Sequence, residues 1–182
     1  MALPAASRTP FDAQSAPVAR LLRSLNTPWK MRLFFLWRLP SLFFWGVRIR
    51  KASPDQTEVL IPFSWRTQNP FRSTYFAALA GAGELAGGVM AMIAIEGRGP
   101  VSMLVTNMEA SFSKKAAGPT VFTCSQGAAI REAIQRTLDT GEGQTLPVLS
   151  VGRLEDGTEV CRVELTWSFK AKRSRESIQP TV

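Results

Sequence analysis

Histidine is absent from this 182-residue chain. That removes the usual general base at neutral pH and the commonest metal ligand. Acid–base chemistry would have to rest on carboxylates, lysine, cysteine or the single tyrosine, Tyr75. Cysteine is scarce as well. Cys124 and Cys161 stand far apart with no CxxC spacing, which supports neither a disulfide scaffold nor a zinc site. Acidic residues are few, 14 Asp and Glu against 22 Lys and Arg. The net charge of +8 favours anionic partners: nucleic acid, acidic lipid or a phosphorylated small molecule. The opening MALPAASRTPFDAQSAP lacks the apolar run of a secretory leader, and the expected location is cytoplasmic.

What is present is a long apolar stretch. From Ser73 to Ile95 the only charge is Glu84. A helix apolar on every side must be buried on every side. Gly81, Gly83, Gly87 and Gly88 lie within it. Each costs about 1 kcal/mol relative to alanine in a helix interior, so four together point to close backbone packing. The run is long enough to cross a membrane. Glu84 near its centre and amphipathic strands on both sides favour a buried core helix instead. A lone carboxylate in such a helix is costly unless it has a partner or a purpose.

Around this helix the chain reads in order. Residues 1–16 form an Ala-, Ser- and Pro-rich tail. Val18, Leu21, Leu22 and Leu25 are spaced as a short amphipathic helix. Thr27-Pro28 starts a second helix, rich in tryptophan, phenylalanine, lysine and arginine, that stops at Pro40. Two readings compete for it: a basic, aromatic membrane-surface helix, or a lid packed on the domain with snorkelling cations. Its shortness favours the lid, so peripheral membrane contact is not the preferred reading. Strand alternation follows over Phe43–Arg50 and Val59–Arg66, with Pro62 marking the second as an edge or bulged strand. Ser73 or Thr74 can cap the long helix.

After Gly99-Pro100 comes a long strand, VSMLVTNMEASFSKK, then a Gly118-Pro119 turn and the strand TVFTCSQ. Ile130, Ala133, Ile134, Thr137 and Leu138 give a helix ended by Gly141. The last two strands meet at Asp156-Gly157, a type I′ hairpin signal. In the final one Cys161, Val163, Leu165, Trp167 and Phe169 face the core. A basic tail with Lys172, Arg173 and Arg175 ends the chain. The expected architecture is α+β: an antiparallel sheet of about six strands wrapped around one long central helix.

This order resembles the hotdog fold, and its residues resemble the acyl-CoA thioesterase superfamily, in the uncharacterised branch related to phenylacetyl-CoA thioesterase. The resemblance covers about Leu39 to Lys170. It divides the chain into a tail and helical extension (1–38), a hotdog domain (39–170) and a basic, polar tail (171–182). Family members carry an asparagine, a His-Gly-Gly six residues later opening the long helix, and an acidic residue nine after the histidine. Asn69 and Glu84 stand at the first and last positions. Tyr75-Phe76-Ala77 stands where the His-Gly-Gly would be, which is a departure. Ser111-Phe112-Ser113-Lys114-Lys115-Ala116 resembles the run at the family's ligand mouth.

The resemblance implies a hydrolase for acyl-CoA or a similar thioester, with coenzyme A as part of the substrate and no separate cofactor or metal. Glu84 would serve as base or nucleophile if burial raises its pKa. Asn69 would orient water or substrate. Backbone N–H groups near Tyr75 and Phe76 would hold the oxyanion. Arg72, Lys114 and Lys115 would meet the phosphates of coenzyme A, and Arg66 is a further basic residue near that mouth. The family's site lies at a dimer interface, so a homodimer or tetramer is expected. A bland reading stands beside each: Glu84 paired with an arginine or with backbone groups at a subunit interface, Asn69 as a turn residue, Lys114 and Lys115 as a solvated strand end. Two further functions compete: a non-catalytic hotdog protein that binds acyl chains or lipid, and a nucleic-acid binder. The last is supported by charge alone and ranks last.

Overall fold

A computed structural model describes residues 10–172. The tail residues Arg173 and Arg175, and most of the Ala- and Pro-rich start, lie outside them. Three helices lead the chain: α1 (Ala16–Leu25), α2 (Pro28–Arg38) and α3 (Pro40–Trp45). Strands β1 (Arg48–Ala52) and β2 (Thr57–Ile61) precede the long helix α4 (Phe76–Ile95). Strands β3 (Val101–Phe112) and β4 (Thr120–Cys124), helix α5 (Gly127–Thr140), and strands β5 (Gln144–Arg153) and β6 (Glu159–Ala171) follow. The six strands form one antiparallel sheet in the order β1-β2-β4-β5-β6-β3, with α4 against its inner face. This is the hotdog arrangement that the element order implied.

Helix α4 is apolar all round because the fold covers it on nearly every side. Its buried residues include Ala78, Ala82, Leu85, Val89, Met90 and Ile93. The helix is long and apolar enough to span a membrane, yet most of that span is buried within the domain. The glycines explain how closely it sits. A methyl group added at Gly83 would lie 2.9 Å from Val163 Cβ and Cγ2, and one at Gly87 would lie 3.2 Å from Val148 Cγ1. At 2.9 Å something must shift, and at 3.2 Å the neighbour must give by a few tenths of an ångström, so packing here outweighs helix propensity. The Thr57 hydroxyl donates to the Ala86 carbonyl at 2.6 Å and fastens β2 to the middle of the helix. At the far end, buried Arg98 donates to the carbonyls of Ala94 and Arg131 at 3.3 Å each and also to Gln135 Oε1. That guanidinium closes the α4 C-terminus, where cations are favoured, onto α5.

Five local readings change in the structure. The Val59–Arg66 alternation is a strand only as far as Ile61, so Pro62 lies outside it, and β2 is an inner strand paired with β1 and β4 rather than an edge. The first half of the Phe43–Arg50 alternation is helical. Pro40 stands at the first helical position of α3, and Gly46, at φ 74°, ends the helix in the left-handed region. These end signals override a short apolar run that fits either period. Helix α4 starts at Phe76 rather than after a Ser73 or Thr74 cap, because the Thr74 N–H and hydroxyl both go to the Ala116 carbonyl. Strand β3 stops at Phe112, short of the two lysines. The β5–β6 turn is a three-residue loop closed by Leu154 and Thr158, not a two-residue type I′ turn. Type I′ needs positive φ at both central residues. Only Gly157, at φ 83°, has it, while the Asp156 carboxylate instead accepts the Thr158 N–H at 2.8 Å.

Asn26, between α1 and α2, ties the helical extension to the sheet. Its side-chain amide donates to the Ala52 carbonyl at 2.8 Å and accepts the Ala52 N–H at 2.9 Å. It pairs with edge strand β1 as a neighbouring strand would, which blunts that edge.

Gly83→Ala is expected to lower stability by about 1–3 kcal/mol, because Val163 is a stiff β-branched neighbour in a packed core. Gly88→Ala meets only ordinary contacts, 3.4 Å or longer, to Glu84 Oε1 and the Trp167 ring. It should be neutral or gain up to about 1 kcal/mol from helix propensity. Chemical denaturation of the two variants side by side checks the contrast.

Candidate functional site

The loop before α4 is built by its own backbone. Asn69 Oδ1 accepts the N–H groups of Phe71 at 3.0 Å and Ser73 at 3.2 Å, and the Asn69 N–H reaches the Ser73 carbonyl at 2.8 Å. This turn holds Arg72 in the left-handed region at φ 57°. The Tyr75 N–H then bonds the Thr67 carbonyl at 2.7 Å. The loop is therefore pinned on both sides of the helix start. Asn69 thus does the work of a turn residue with its oxygen, while its Nδ2 has no partner among the described residues. Asparagine suits this role because its short side chain mimics backbone.

A cleft of about 470 Å³ opens at this point. Its lining includes Asn69, Thr74, Phe76, Phe112, Lys114 and Lys115. The structure thus brings four of the sequence-predicted residues together. Tyr75 and Arg72 are not in the lining. The Tyr75 ring instead packs edge-on against Phe76 at 4.9 Å between centroids, and Arg72 is exposed on the loop. Phe76 in turn meets Phe112 across the cleft at 6.4 Å. Lys115 Nζ reaches back to the Phe71 carbonyl at 3.5 Å. Arg66 is not in the lining either. Phe71, Ser73, Leu79 and Ser113 also line the cleft and were not singled out. Ser113 is embedded in the Ser111–Ala116 run, so its signal was present. Leu79 had none beyond its spacing three residues after Phe76.

The first turn of α4 faces this cleft with unused donors. No side chain caps the helix, and the Phe76 and Ala77 N–H groups make no hydrogen bond among the described residues. Unpaired N–H groups at the positive end of a helix attract negative charge.

Glu84 is elsewhere. It lies two turns further along α4, half-buried, with Oε1 near Gly88 and the Trp167 ring. It forms no hydrogen bond or ion pair among the described residues. Burial raises its pKa above the ordinary 4.5, and desolvation is the sole cause. No cation for the ion-pair reading of Glu84 stands near it among the described residues. Both cysteine thiols are buried, and burial pushes Cys161 up to about 11 and Cys124 upward as well. Neither is a ready thiolate, which leaves Glu84 as the one perturbed carboxylate on the core helix.

Strand β3 completes the setting. It is the last strand of the sheet, and its outer backbone edge is unpaired among the described residues. Met108 and Phe112 stand opposite Leu165 and Cys161 of β6, which are buried. They therefore share the inner face, yet both remain exposed. An inward face left uncovered beside a free edge is an invitation to another strand.

A family model described as a domain of unknown function, DUF4442, matches residues 29–169. No curated protein sequence matches the chain significantly. Among solved structures, it is similar to a Pseudomonas aeruginosa protein named a probable thioesterase. That match has 16% identity and a TM-score of 0.64, over 91% of this chain and 99% of the other. A thioesterase from Haemophilus influenzae matches with 15% identity and a TM-score of 0.61, over 94% and 99%. The mouse thioesterase superfamily member 2 matches with 12% identity and a TM-score of 0.57, over 85% and 98%. At such identities the likeness establishes the shared fold.

The raised pKa of Glu84 has a signed consequence. The folded chain holds the proton more tightly than the unfolded one, so stability falls as pH rises from 4.5 through the raised value, then levels off. Glu84→Gln removes that loss. The variant should match the parent below the ordinary carboxylate pKa and be more stable at neutral pH. Thermal unfolding of both across the pH range checks this. A Gln variant less stable at pH 7 would show that Glu84 has a cationic partner.

Proposed function

The chain belongs to the DUF4442 family, and from that premise we propose that it hydrolyses thioesters of the acyl-CoA type, as a dimer. The observation that carries this reading is Glu84: a half-buried carboxylate without a counter-charge, on the same helix whose open first turn looks into a lysine-edged cleft. A structural acid would be paired. A carboxylate kept unpaired with a raised pKa suits a general base. In the proposed step a water oxygen attacks the thioester carbonyl carbon as Glu84 takes a proton from that water. The carbonyl oxygen becomes an oxyanion held by the Phe76 and Ala77 N–H groups. The C–S bond then breaks, and the thiolate leaves and takes up the proton. Asn69 Nδ2 is the group that would orient the water or carbonyl. Lys114 and Lys115, with Arg72 beside them, would meet the phosphates of the coenzyme A portion.

One chain does not bring these groups to the same atom. A helix rises 1.5 Å per residue, so Glu84 lies about 12 Å along α4 from Phe76. The base and the oxyanion donors must approach the same carbonyl to within about 3 Å. A second copy joined along β3 supplies the missing half, with one copy's Glu84 facing the other's helix start. The free β3 edge and the exposed Met108 and Phe112 support that assembly.

A second reading has its own observation. Tyr75 and Phe76 put two rings at a helix opening where close approach to a carbonyl is needed. On that reading the cleft binds acyl chains or lipid without turnover.

A panel of acyl-CoA thioesters with free-thiol detection separates the two. The expected result is hydrolysis that Glu84→Gln lowers by at least about a hundredfold, in line with loss of a general base, with acyl-CoA affinity little changed. Tight binding of acyl-CoA with no thiol release from the parent would support the second reading. Sedimentation should give at least twice the 20.0 kDa chain mass. Met108→Asp should lower mass and activity together, since it places a charge in the uncovered face beside β3. A monomer that hydrolyses at the parental rate would refute the shared site.

A further inference from the structure

Helix α2 is apolar on the wrong side for a lid. Only Phe35 is buried, at 2% exposure, while Trp29, Leu33 and Trp37 are 63%, 52% and 82% exposed. The spacing i, i+4, i+8 puts these three on one face, and Leu36, also exposed, joins them at i+7. Lys30 and Arg32 fall on opposite flanks of that stripe, about 20° and about 40° beyond its edges at 100° per residue. Lys30 lies over the Trp29 ring at 5.6 Å, and Arg32 lies over the Phe43 ring at 4.7 Å. The lid reading required this stripe to be covered by the domain, and it is not.

Charge gives the second observation. Residues 13–54 contain eight Lys and Arg and no Asp or Glu. The ion pairs among the described residues join Arg131 to Asp55, Arg136 to Glu132, and both Arg153 and Arg162 to Glu159. None involves the cations of this segment. Beside the stripe, a groove of about 480 Å³ lies between α2 and β1. Phe35, Val47 and Ile49 contribute its apolar part, and Arg32, Arg48 and Arg50 its charge.

We propose that α2 docks the protein onto the surface of an anionic phospholipid bilayer. Trp29, Leu33, Leu36 and Trp37 would enter the boundary between headgroups and acyl chains. Lys30 and Arg32, with the arginines of the groove, would meet lipid phosphates. This partner supplies apolar depth and negative charge in one surface, which is what an apolar stripe flanked by cations needs. A second copy of the chain would set cation against cation. Nucleic acid would supply phosphate and could stack on tryptophan, but it offers nothing to bury Leu33 and Leu36. The β3 edge, at the other end of the sheet, stays open for the dimer, and the proposal does not depend on whether thioesters are hydrolysed.

Flotation of the full chain with vesicles tests this. Vesicles of phosphatidylcholine alone are compared with vesicles that also contain phosphatidylglycerol. The expected result is at least about tenfold stronger binding to the anionic vesicles, weakening as salt rises. Trp29→Ser, Leu33→Ser and Trp37→Ser together should lower that binding at least about tenfold, with unfolding temperature and sedimentation mass unchanged, because these side chains are exposed. If the triple variant folds poorly, Trp37→Ser alone should still weaken binding several-fold. Lys30→Gln with Arg32→Gln should reduce the preference for anionic vesicles. A parent chain that stays unbound to anionic vesicles overturns the proposal. So does a serine variant that floats as well as the parent, or one whose sedimentation mass falls because the stripe joins two copies. Salt-sensitive retention on DNA with no vesicle binding would reassign the face to nucleic acid.

Discussion

The close approach of α4 to the sheet is the constraint on which the rest depends. Val163 leaves no space for a side chain at position 83 without a shift, and Val148 crowds one at position 87. The helix therefore lies deep against the inner face of the sheet, and its flanks must be as apolar as its floor. The Thr57 bond to Ala86 and the Arg98 clamp fix its rotation and its far end. With those fixed, the near end can stand only where the 67–75 loop and the β3 terminus meet. That junction is the cleft.

The same burial makes Glu84 conspicuous. Desolvation alone raises its pKa, and nothing among the described residues compensates the charge. A packed core usually excludes such a group, and local disagreement with packing rules tends to mark function. The carboxylate also sits on a helix whose Phe76 and Ala77 N–H groups have no acceptor among the described residues. One helix thus carries an uncompensated carboxylate near its middle and an anion-attracting end, about 12 Å apart along its axis.

The two edges of the sheet are treated differently. At β1 the edge is covered, with Asn26 pairing to Ala52 and α2 alongside. At β3 the edge is long, unpaired among the described residues and flanked by exposed apolar side chains. Unprotected edges of that length are either aggregation liabilities or interfaces. The helix that covers β1 then presents its own apolar stripe outward. The chain has two unsatisfied apolar surfaces of different chemistry, one neutral beside a strand edge and one ringed by cations.

Much of this was legible in the order of residues. The all-round apolar stretch with four glycines required a wrapped central helix, and the alternating strands required an antiparallel sheet around it. Both follow from side-chain periodicity, which is local. The spacing of Asn69, Tyr75 and Glu84 along the chain could be read as well. Other features needed the fold. The Phe43–Trp45 segment fits either period, and only its flanking Pro40 and Gly46 acting with the packed domain made it helical. The partition of Asn69 and Glu84 into separate places follows from helix rise and from the turn that consumes the Asn69 oxygen. The absence of a counter-ion for Glu84 depends on what every other element brings near it. The outward stripe of α2 is in the sequence as a pattern, but whether the domain covers it is decided by which face Phe35 buries. Sequence by itself determined which residues must leave water, because hydrophobicity and period are properties of neighbouring residues. Only the tertiary structure decided which of them stay exposed, because exposure depends on the supply of covering surface from distant parts of the chain.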